Sequence, residues 1–415
     1  MTAERQSFVI VGAGLAGAKA AETLRGEGFD GRLVLVGAEA ERPYERPPLS
    51  KDYLRGEAGR DAIYVHDHGY YGEHDIELRL GRHAVTLDVA GREVALDDGE
   101  RIPYDRLLLA TGAEPRRLSL PGSDLDGVHY LRTVEDSDAL RGRLDQGGSL
   151  VVIGAGWIGA EVAASARQRG LDVTVIEPLS VPLERVLGPE LGAVYRDIHL
   201  DHGVRMLLGT GVEAFEGVTS VERVRTTDGH RLECDVVVVG VGVQPRARLA
   251  AMAGLAVDDG ILVDEHLQSS WPGVFAAGDV ANAWHPIYDE RIRVEHWDNA
   301  LHQAPVAARG MLGQPAVHDH VPYFFSDQYD VGMEYSGHAP AWERVVVRGD
   351  PATREFIAFW LEGSRVVAGM NVNVWDVSDP IRRLIRERTP VDDRRLGDPD
   401  VPLDALAPEE PSAAA

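Results

Sequence analysis

The hydrophobic pattern near the N-terminus predicts a strand, a glycine-rich turn, a helix and a second strand. The apolar run at 8–11 is followed by Gly-Ala-Gly-Leu-Ala-Gly at 12–17. Residues 18–25 have high helix propensity, and the apolar run at 33–36 predicts the next strand. The unit has the length and order of a βαβ motif that binds a dinucleotide.

The same pattern occurs a second time. An apolar run at 150–153 leads into Gly-Ala-Gly-Trp-Ile-Gly at 154–159. A helix is predicted at 160–169 and a strand at 173–176. One GxGxxG sequence is weak evidence, but two of them, each between a strand and a helix, indicate two nucleotide sites.

Each part of the motif has a physical role. The first glycine makes a tight turn, the second lets the backbone approach a pyrophosphate, and the third lets helix and strand pack closely. The helix N-terminus then faces the phosphates. An acid after the second strand, here Glu39 or Glu177, accepts hydrogen bonds from a ribose. Two sites in one chain suggest a flavin and a nicotinamide.

Three further apolar runs end beside glycines, at 107–110, 236–239 and 274–277. Such runs are typical of buried parallel strands, whose carboxyl ends form the ligand-binding edge of a sheet. The residues that follow them include Thr111, Gly112, Gly242, Gly278 and Asp279.

From about residue 320 the pattern changes to antiparallel strands at 345–347, 355–361 and 365–370, with a hairpin turn at Gly363. A basic helix follows, with Arg382, Arg383, Arg386 and Arg388. We therefore predict an α/β protein with two Rossmann-like dinucleotide-binding domains and a C-terminal α+β interface domain. The last segment, 396–415, is predicted to be disordered.

The net charge, the cysteine count and the lengths of the apolar runs argue against several classes of protein. The 415 residues carry a formal net charge of −25, which argues against nucleic-acid binding. Cys234 is the only cysteine, so an internal disulfide, a CxxC pair and a zinc–cysteine cluster are excluded. No apolar run approaches the ~18 residues of a membrane span, and the polar N-terminus does not resemble a signal peptide. We expect a cytoplasmic protein without membrane or nucleic-acid partners.

Two histidine-rich triplets, at 66–68 and 318–320, have the ligand types of a metal site. No third and fourth ligand accompany them at a matching spacing, so we interpret them as loop residues and expect no metal. The chain contains only two lysines, Lys19 and Lys51, which makes Lys51 a candidate functional residue in an arginine-rich sequence.

The segment Pro-Tyr-Glu-Arg-Pro-Pro-Leu-Ser-Lys at 43–51 resembles the PYxRPPLSK segment of FAD-dependent NADH:ferredoxin reductases. These enzymes serve bacterial cytochrome P450 and Rieske oxygenase systems. The resemblance continues through 110–112, 277–279, 295–300 and 326–328 and covers nearly the whole chain.

The resemblance implies a glutathione-reductase-like arrangement. A discontinuous FAD-binding domain would comprise 1–117 and 247–320, with an NAD-binding domain at 118–246 inserted into it. The interface domain would comprise 321–395, before the tail at 396–415.

The motifs and the resemblance together imply the site residues. Those expected to bind FAD are Gly12, Gly14, Ala16, Gly17, Glu39, Arg46, Lys51, Ala84, Thr111, Gly112, Arg132, Gly278, Asp279 and Trp297. Those expected to bind NAD are Gly154, Gly156, Trp157, Ile158, Gly159, Glu177 and Gly242.

Two catalytic residues are implied. Lys51 would lie beside the central flavin ring, where a cation stabilises negative charge. Glu161 would lie on the first turn of the second nucleotide helix, face the nicotinamide–flavin region and pair with the lysine. Glu177 is expected to select NADH, because an acid there repels a 2′-phosphate. Phe325 stands where the family commonly has tryptophan.

The implied function is hydride transfer from NADH to FAD, followed by transfer of single electrons to a small [2Fe–2S] or [3Fe–4S] ferredoxin. The ferredoxin would serve a cytochrome P450 or Rieske oxygenase. Two alternatives stay open: a rubredoxin reductase or other NADH-dependent flavoprotein electron donor, and a non-catalytic flavoprotein resembling apoptosis-inducing factor. The arginines at 382–388, with Arg291 and Arg293, are candidates for docking an acidic ferredoxin.

Overall fold

The computed structural model describes residues 5–406, which form two compact units. Unit 1 comprises the described residues up to Arg46, together with Gly59–Glu114 and Val243–Pro322. Unit 2 comprises Pro47–Ala58, Pro115–Gly242 and the described residues from Tyr323 onward.

The strands of the described chain, in chain order, are β1 (Ser7–Val11), β2 (Arg32–Gly37), β3 (Ile76–Leu80), β4 (Ala84–Asp88), β5 (Glu93–Leu96), β6 (Arg101–Pro103), β7 (Arg106–Leu109), β8 (Ala113–Pro115), β9 (Val128–His129), β10 (Ser149–Ile153), β11 (Asp172–Glu177), β12 (Arg205–Leu208), β13 (Val212–Gly217), β14 (Val221–Thr226), β15 (Arg231–Glu233), β16 (Val236–Val239), β17 (Val243–Pro245), β18 (Ile261–Val263), β19 (Val274–Ala276), β20 (Ala281–His285), β21 (Glu290–Ile292), β22 (Tyr323–Gln328), β23 (Val331–Gly337), β24 (Arg344–Asp350), β25 (Glu355–Glu362) and β26 (Arg365–Val372).

The α-helices are α1 (Leu15–Gly26), α2 (Asp52–Arg55), α3 (Tyr70–Glu73), α4 (Val134–Leu144), α5 (Trp157–Gln168), α6 (Glu184–Asp201), α7 (Arg248–Met252), α8 (Trp297–Met311), α9 (Ser378–Glu387) and α10 (Asp393–Gly397). Short 3₁₀ turns lie at Pro47–Ser50, Arg60–Ile63, Pro351–Thr353 and Leu403–Ala405.

The main sheet of unit 1 is five-stranded and parallel, in the order β19-β7-β1-β2-β3. Val9 at its centre pairs with Val34 on one side and Leu107 on the other. The inner strands β1, β2 and β7 are buried apart from their first residues, and they are apolar because both faces of the sheet are covered there. The edge strand β3 instead alternates apolar residues with Glu77 and Arg79. The order brings the carboxyl ends of β1, β7 and β19 side by side, which is where a nucleotide binds in such a sheet.

The main sheet of unit 2 has the same architecture. It is parallel, in the order β12-β11-β10-β16-β9, and α5 follows its central strand β10. The two βαβ motifs predicted from the sequence are therefore both formed. Each helix begins three residues before the predicted start, because the third residue of each glycine loop already opens the first turn.

The C-terminal part of unit 2 is an antiparallel sheet in the order β22-β23-β26-β25-β24. Its core includes Trp360, which is fully buried. The three strands predicted here are present, and Gly363, with a φ of 57°, turns β25 into β26. Three of the four arginines predicted on a basic helix lie within α9, and Arg388 caps its C-terminal end.

The segment Pro47–Ala58 is held within unit 2 by side chains that bond to its backbone. The hydroxyl of Ser137 donates to the carbonyl of Leu49 at 2.9 Å, and that of Ser165 donates to Ser50 at 2.7 Å. Arg169 donates to the carbonyl of Leu54 at 2.8 Å. The expected division into FAD-binding, NAD-binding and interface domains stays a prediction.

The disorder predicted for 396–415 is wrong for residues 396–406. Arg348 donates to the backbone carbonyls of Pro399 and Val401, at 3.1 and 2.5 Å, and Leu396 is fully buried. The buried guanidinium of Arg348 supplies hydrogen-bond donors to the backbone carbonyls of this segment. Amino-acid composition, on which the prediction of disorder rested, does not reveal such a contact. Residues 407–415 lie outside the described part of the chain. Among the described residues, no helix is long and apolar enough to cross a membrane.

Candidate functional site

The first glycine loop, between β1 and α1, has the geometry that nucleotide binding requires. A Cβ on Gly12, whose φ is +122°, would lie 2.0 Å from the carbonyl oxygen of Ala110. A Cβ on Gly17 would lie 1.9 Å from the carbonyl oxygen of Gly12. A Cβ on Gly14 would meet nothing within 4 Å. The outer glycines are therefore required by packing, whereas the central glycine faces open space.

The second loop, between β10 and α5, repeats this arrangement. A Cβ on Gly154, whose φ is +94°, would lie 2.5 Å from the carbonyl oxygen of Gly240. A Cβ on Gly159 would lie 2.0 Å from that of Gly154, and one on Gly156 would meet nothing within 4 Å. The packing of the chain explains the outer glycines in both loops. Approach of a ligand to the central glycine stays a prediction.

The helices after these loops begin in the same way. Gly14 caps α1 and Gly156 caps α5, with no side-chain hydrogen bond at either cap and no acid in either first turn. The first N–H groups of a helix lack intrahelical partners and carry a partial positive charge. The residues present at each loop therefore fit the pyrophosphate of a dinucleotide.

Other predicted FAD residues of unit 1 lie at the carboxyl edge of its sheet. Thr111 and Gly112 follow β7, and the Thr111 hydroxyl donates to the carbonyl of Arg246 at 2.8 Å. Gly278 and Asp279 come shortly after β19, and the Gly278 N–H donates to the buried Gln303 side chain at 2.9 Å. The sheet thus brings residues from distant parts of the sequence to one edge.

Glu39 and Arg46, both predicted to bind FAD, form an ion pair at 2.7 Å. Tyr44 also donates a hydrogen bond to the Glu39 carboxylate. Burial would raise the pKa of Glu39, but Arg46 and Tyr44 together hold it below its ordinary value. Glu39 is therefore ionised and fixed in place, and its contact with a ribose stays a prediction.

The remaining predicted FAD residues lie apart in the fold. Ala84 begins β4 and Trp297 begins α8, both in unit 1. Ala16 lies in the first turn of α1, 3.2 Å from the position of a Cβ on Gly278. Arg132 and Lys51 belong to unit 2. Contact of these residues with a flavin stays a prediction.

Glu177 is anchored beside the second glycine loop. Its carboxylate accepts from the Ala155 N–H at 2.7 Å and from the Leu179 N–H at 3.0 Å. Glu177 ends β11, and its side chain therefore links that strand to the loop. Each carboxylate oxygen retains a lone pair for the hydroxyls of a ribose.

The other predicted NAD residues lie around the same loop. Trp157 packs edge-on against Tyr195 and Phe324, with ring centroids 5.9 and 5.0 Å away. Ile158 is 45% exposed, and Gly242, with a φ of +95°, lies shortly after β16. An exposed isoleucine on the first turn of α5 is available to pack against a ligand.

The predicted Lys51–Glu161 pair is formed. Lys51 Nζ lies 3.0 Å from Glu161 Oε1, and the two side chains are 9% and 4% exposed. Glu161 is the fifth residue of α5, so its predicted place on the first helical turn is wrong. The helix begins at Trp157, which puts Glu161 on the second turn and removes the stabilisation by the helix dipole that the first turn would give.

Two serines complete the surroundings of Glu161. Ser50 Oγ donates to Oε2 at 2.5 Å, and Ser326 Oγ donates to Oε1 at 2.7 Å. Lys51 Nζ also donates to the carbonyl of Pro47 at 3.3 Å. A buried carboxylate normally carries a large desolvation cost, which the ammonium and both hydroxyls offset here.

A chain of hydrogen bonds extends from Glu161 into the C-terminal sheet. Gln328 Nε2 lies 3.2 Å from Ser326 Oγ, and Gln328 Oε1 lies 2.9 Å from His199 Nε2. Burial lowers the pKa of His199 to about 4, so its imidazole is neutral at pH 7. Since an amide oxygen only accepts, His199 Nε2 donates to Gln328 Oε1. Gln328 Nε2 then donates to Ser326 Oγ, and Ser326 Oγ donates to the Glu161 carboxylate.

The sequence did not indicate His199, which lies on α6. A lone histidine within a helical segment has no pattern that marks it, and only the tertiary structure places it against Gln328. Phe325, in the position of the usual tryptophan, has its ring centroid 5.3 Å from Lys51 Nζ, within the range of a cation–π contact.

Comparison with known proteins agrees with this geometry. Residues 6–304 match the model of the pyridine nucleotide-disulphide oxidoreductase family, and residues 323–407 match the reductase C-terminal family. The chain is 39% identical to putidaredoxin reductase CamA of Pseudomonas putida, with 96% of each chain covered. It is 41% identical to the ferredoxin–NAD(+) reductase component of an anthranilate 1,2-dioxygenase system from Burkholderia cepacia, with 95% and 98% covered.

Solved structures give the same result. The covalent putidaredoxin reductase–putidaredoxin complex contains a chain that matches with a TM-score of 0.92 at 38% identity, with 97% and 98% of the chains covered. The ferredoxin reductase for the CYP199A2 system of Rhodopseudomonas palustris matches with a TM-score of 0.93 at 36% identity, with 97% and 100% covered. The chain therefore belongs to the pyridine nucleotide-disulphide oxidoreductase family, among the ferredoxin reductases that carry the reductase C-terminal domain.

Proposed function

We propose that this protein takes hydride from NADH through a bound FAD and delivers single electrons to a small iron–sulfur ferredoxin. The observation that carries the proposal is the pair of glycine loops, each with a central glycine that faces open space. Two dinucleotides in one chain suit the transfer of electrons from a nicotinamide to a flavin.

FAD, when bound, accepts two electrons as a hydride and releases them one at a time. The loop at Gly12–Gly17 binds its pyrophosphate, and the loop at Gly154–Gly159 binds that of NADH. Lys51 supplies a cation that favours added negative charge on the flavin, and Glu161 holds this ammonium at 3.0 Å. Glu177 accepts hydrogen bonds from the adenosine ribose and disfavours a 2′-phosphate.

The electrons must leave through a partner because the chain has no cysteine chemistry of its own. Cys234 is the only cysteine, and burial raises the pKa of its thiol to about 12. Such a thiol is inert at neutral pH, and a single cysteine cannot hold an iron–sulfur cluster. The ferredoxin therefore supplies the [2Fe–2S] or [3Fe–4S] centre, and it in turn serves a cytochrome P450 or Rieske oxygenase.

The relatives support this choice of partner. Their names include ferredoxin reductase components of dioxygenase systems, and one matching structure is that of a covalent putidaredoxin reductase–putidaredoxin complex. A rubredoxin reductase or a non-catalytic flavoprotein would share the nucleotide loops, so acceptor specificity distinguishes them.

An anaerobic titration of the purified protein tests the proposal. NADH should bleach the flavin spectrum rapidly, and NADPH should do so much more slowly. A panel of [2Fe–2S] and [3Fe–4S] ferredoxins, with cytochrome c as final acceptor, should include one that supports turnover. Absence of bound flavin would contradict the whole proposal, whereas bleaching without turnover with any ferredoxin would contradict the choice of partner.

The proposed place of action is the cytoplasm, where the protein would meet both NADH and the oxidised ferredoxin that accepts its electrons. Fractionation of the source cells, followed by detection of the protein with an antibody, tests this expectation.

A further inference from the structure

Three nitrogen and oxygen donors converge near the start of α8. Asp298 and His302 lie four residues apart, on one face of the helix, and His320 comes from the segment after it. Asp298 Oδ2 lies 2.7 Å from His320 Nε2, and Asp298 Oδ1 lies 3.2 Å from His302 Nδ1. One ligand atom from each residue lies within 4.8 Å of the other two.

The surroundings hold these groups in place. Asp298 is 6% exposed, and its two carboxylate oxygens lie against the two imidazoles. His285 is fully buried, and its Nε2 donates to the backbone carbonyl of His320 at 2.9 Å. The backbone N–H of His318 donates to the carbonyl of Glu265 at 2.8 Å. The segment that carries His320 is thus fixed at two points.

The cluster is also accessible from one side. The side chain of His302 is 42% exposed and that of His320 is 21% exposed. The two imidazole rings stack with centroids 3.4 Å apart and planes 4° from parallel. A ring nitrogen coordinates in the plane of its ring, so binding an ion requires the rings to splay. His302 Nδ1, which lies 2.9 Å from the backbone carbonyl oxygen of Asp298, would give up that contact if it became the ligand atom.

We propose that Asp298, His302 and His320 bind a divalent transition-metal ion, with Zn²⁺ as the favoured ion. Two imidazoles and a carboxylate form a donor set that suits Zn²⁺, Ni²⁺ and Cu²⁺ better than Mg²⁺ or Ca²⁺. Three protein ligands leave a fourth position for water or for an external ligand. Electron transfer in the proposed function requires no metal held by this chain.

The matched control comes from another histidine–carboxylate pair. The exposed His230 has its Nδ1 3.0 Å from Asp228 Oδ1. Among the residues that the structure describes, no third histidine, cysteine or carboxylate joins this pair to form a possible metal site. His230→Ala therefore removes the same side-chain type and a similar contact without touching the cluster. Since His302 is exposed, His302→Ala should leave the fold intact.

The test uses the full-length FAD-containing protein without an affinity tag, treated with EDTA and then dialysed free of it. Zn²⁺ is titrated by calorimetry, and Co²⁺ is titrated by its visible absorption, which reports the coordination geometry. We expect one equivalent to bind, a higher thermal unfolding midpoint with Zn²⁺ than without it, and unchanged values in His230→Ala. His302→Ala and His320→Ala should each weaken binding by about tenfold or more and abolish the thermal shift.

Two results would overturn the proposal. One is the absence of stoichiometric binding of either ion by the parent protein. The other is equal affinity in the parent, His302→Ala and His320→Ala, which would assign the binding to other surface groups and the cluster to hydrogen bonding alone. Neither readout depends on NADH or ferredoxin, so failure of the reductase proposal would leave this result interpretable.

Discussion

At the scale of single residues, the two lysines of the chain lie in opposite environments. Lys51 is buried against Glu161, whereas Lys19 pairs with Glu22 on the partly exposed side of α1, with side chains 28% and 41% exposed. Removing one member of a buried pair leaves the other charge uncompensated, which costs about 3–5 kcal/mol. An exposed pair contributes less than about 1 kcal/mol.

We therefore expect Lys51→Met to lower the thermal unfolding midpoint clearly and to slow flavin reduction by NADH. Lys19→Met should change neither. The double variant Lys51→Met with Glu161→Gln should recover much of the lost stability but not the reduction rate. Equal unfolding midpoints for the Lys51 and Lys19 variants would show that the buried pair does not stabilise the fold.

A second prediction for a single residue concerns Glu177 and the preference for NADH over NADPH. Glu177→Gln keeps one acceptor oxygen for the two backbone N–H groups that the carboxylate binds, loses the other, and removes the charge that opposes a 2′-phosphate. We expect the ratio of kcat/KM for NADH over NADPH to fall by about tenfold, a loss of ~1.4 kcal/mol in discrimination. Glu190→Gln, an exposed change on α6, serves as the control. An unchanged ratio in Glu177→Gln would assign coenzyme choice to other residues.

At the scale of elements, the two strand–loop–helix motifs make separable predictions. The central glycines have ordinary φ values of −88° and −75°, so alanine strains neither backbone. Gly14→Ala should reduce the FAD content of the purified protein, because its Cβ enters the space for the pyrophosphate. Gly156→Ala should retain FAD and raise the KM for NADH.

Two other glycines of α1 provide comparisons for Gly14→Ala. Gly26→Ala, at the far end of α1, also meets nothing within 4 Å and should leave FAD content unchanged. Gly17→Ala should instead prevent correct folding, since its Cβ would lie 1.9 Å from a backbone oxygen. Normal FAD content in Gly14→Ala together with normal NADH kinetics in Gly156→Ala would contradict the assignment of both loops.

At the scale of the whole molecule, each compact unit contains a buried neutral histidine. Burial lowers the pKa of His199 in unit 2 to about 4 and that of His318 in unit 1 to about 3. An unfolded histidine titrates near 6.5, so between pH 6.5 and 4 the unfolded chain binds protons that the folded chain does not. The free energy of unfolding should therefore fall as the pH falls through this window.

Thermal unfolding between pH 7.5 and 4.5 measures this effect. His199→Gln removes the titrating group and should flatten the dependence, while His230→Gln, a change at an exposed histidine, should not. A dependence of equal steepness in the parent and His199→Gln would show that other groups cause the loss of stability.

The hydrophobic pattern and the motifs were enough to predict the local elements and the family. Apolar runs between glycine loops and helices specify parallel strands, because a strand buried on both faces must be apolar throughout. The glycine spacing predicts both loops, and packing against backbone carbonyls explains the outer glycines of each. The Lys51–Glu161 pair was expected only through the resemblance, and the structure confirmed it.

The contacts between side chains that are distant in sequence became visible in the folded chain alone. The fold joined His199 and Gln328 to Glu161, ordered residues 396–406 around Arg348, and brought Asp298 and His302 to His320. The sequence near His320 contains no further metal ligands at a suitable spacing. Its two partners lie on the preceding helix, α8, so a search of the neighbouring residues could not find them. Local periodicity encodes which face of an element is buried, but the contacts across elements depend on how the sheets and helices pack.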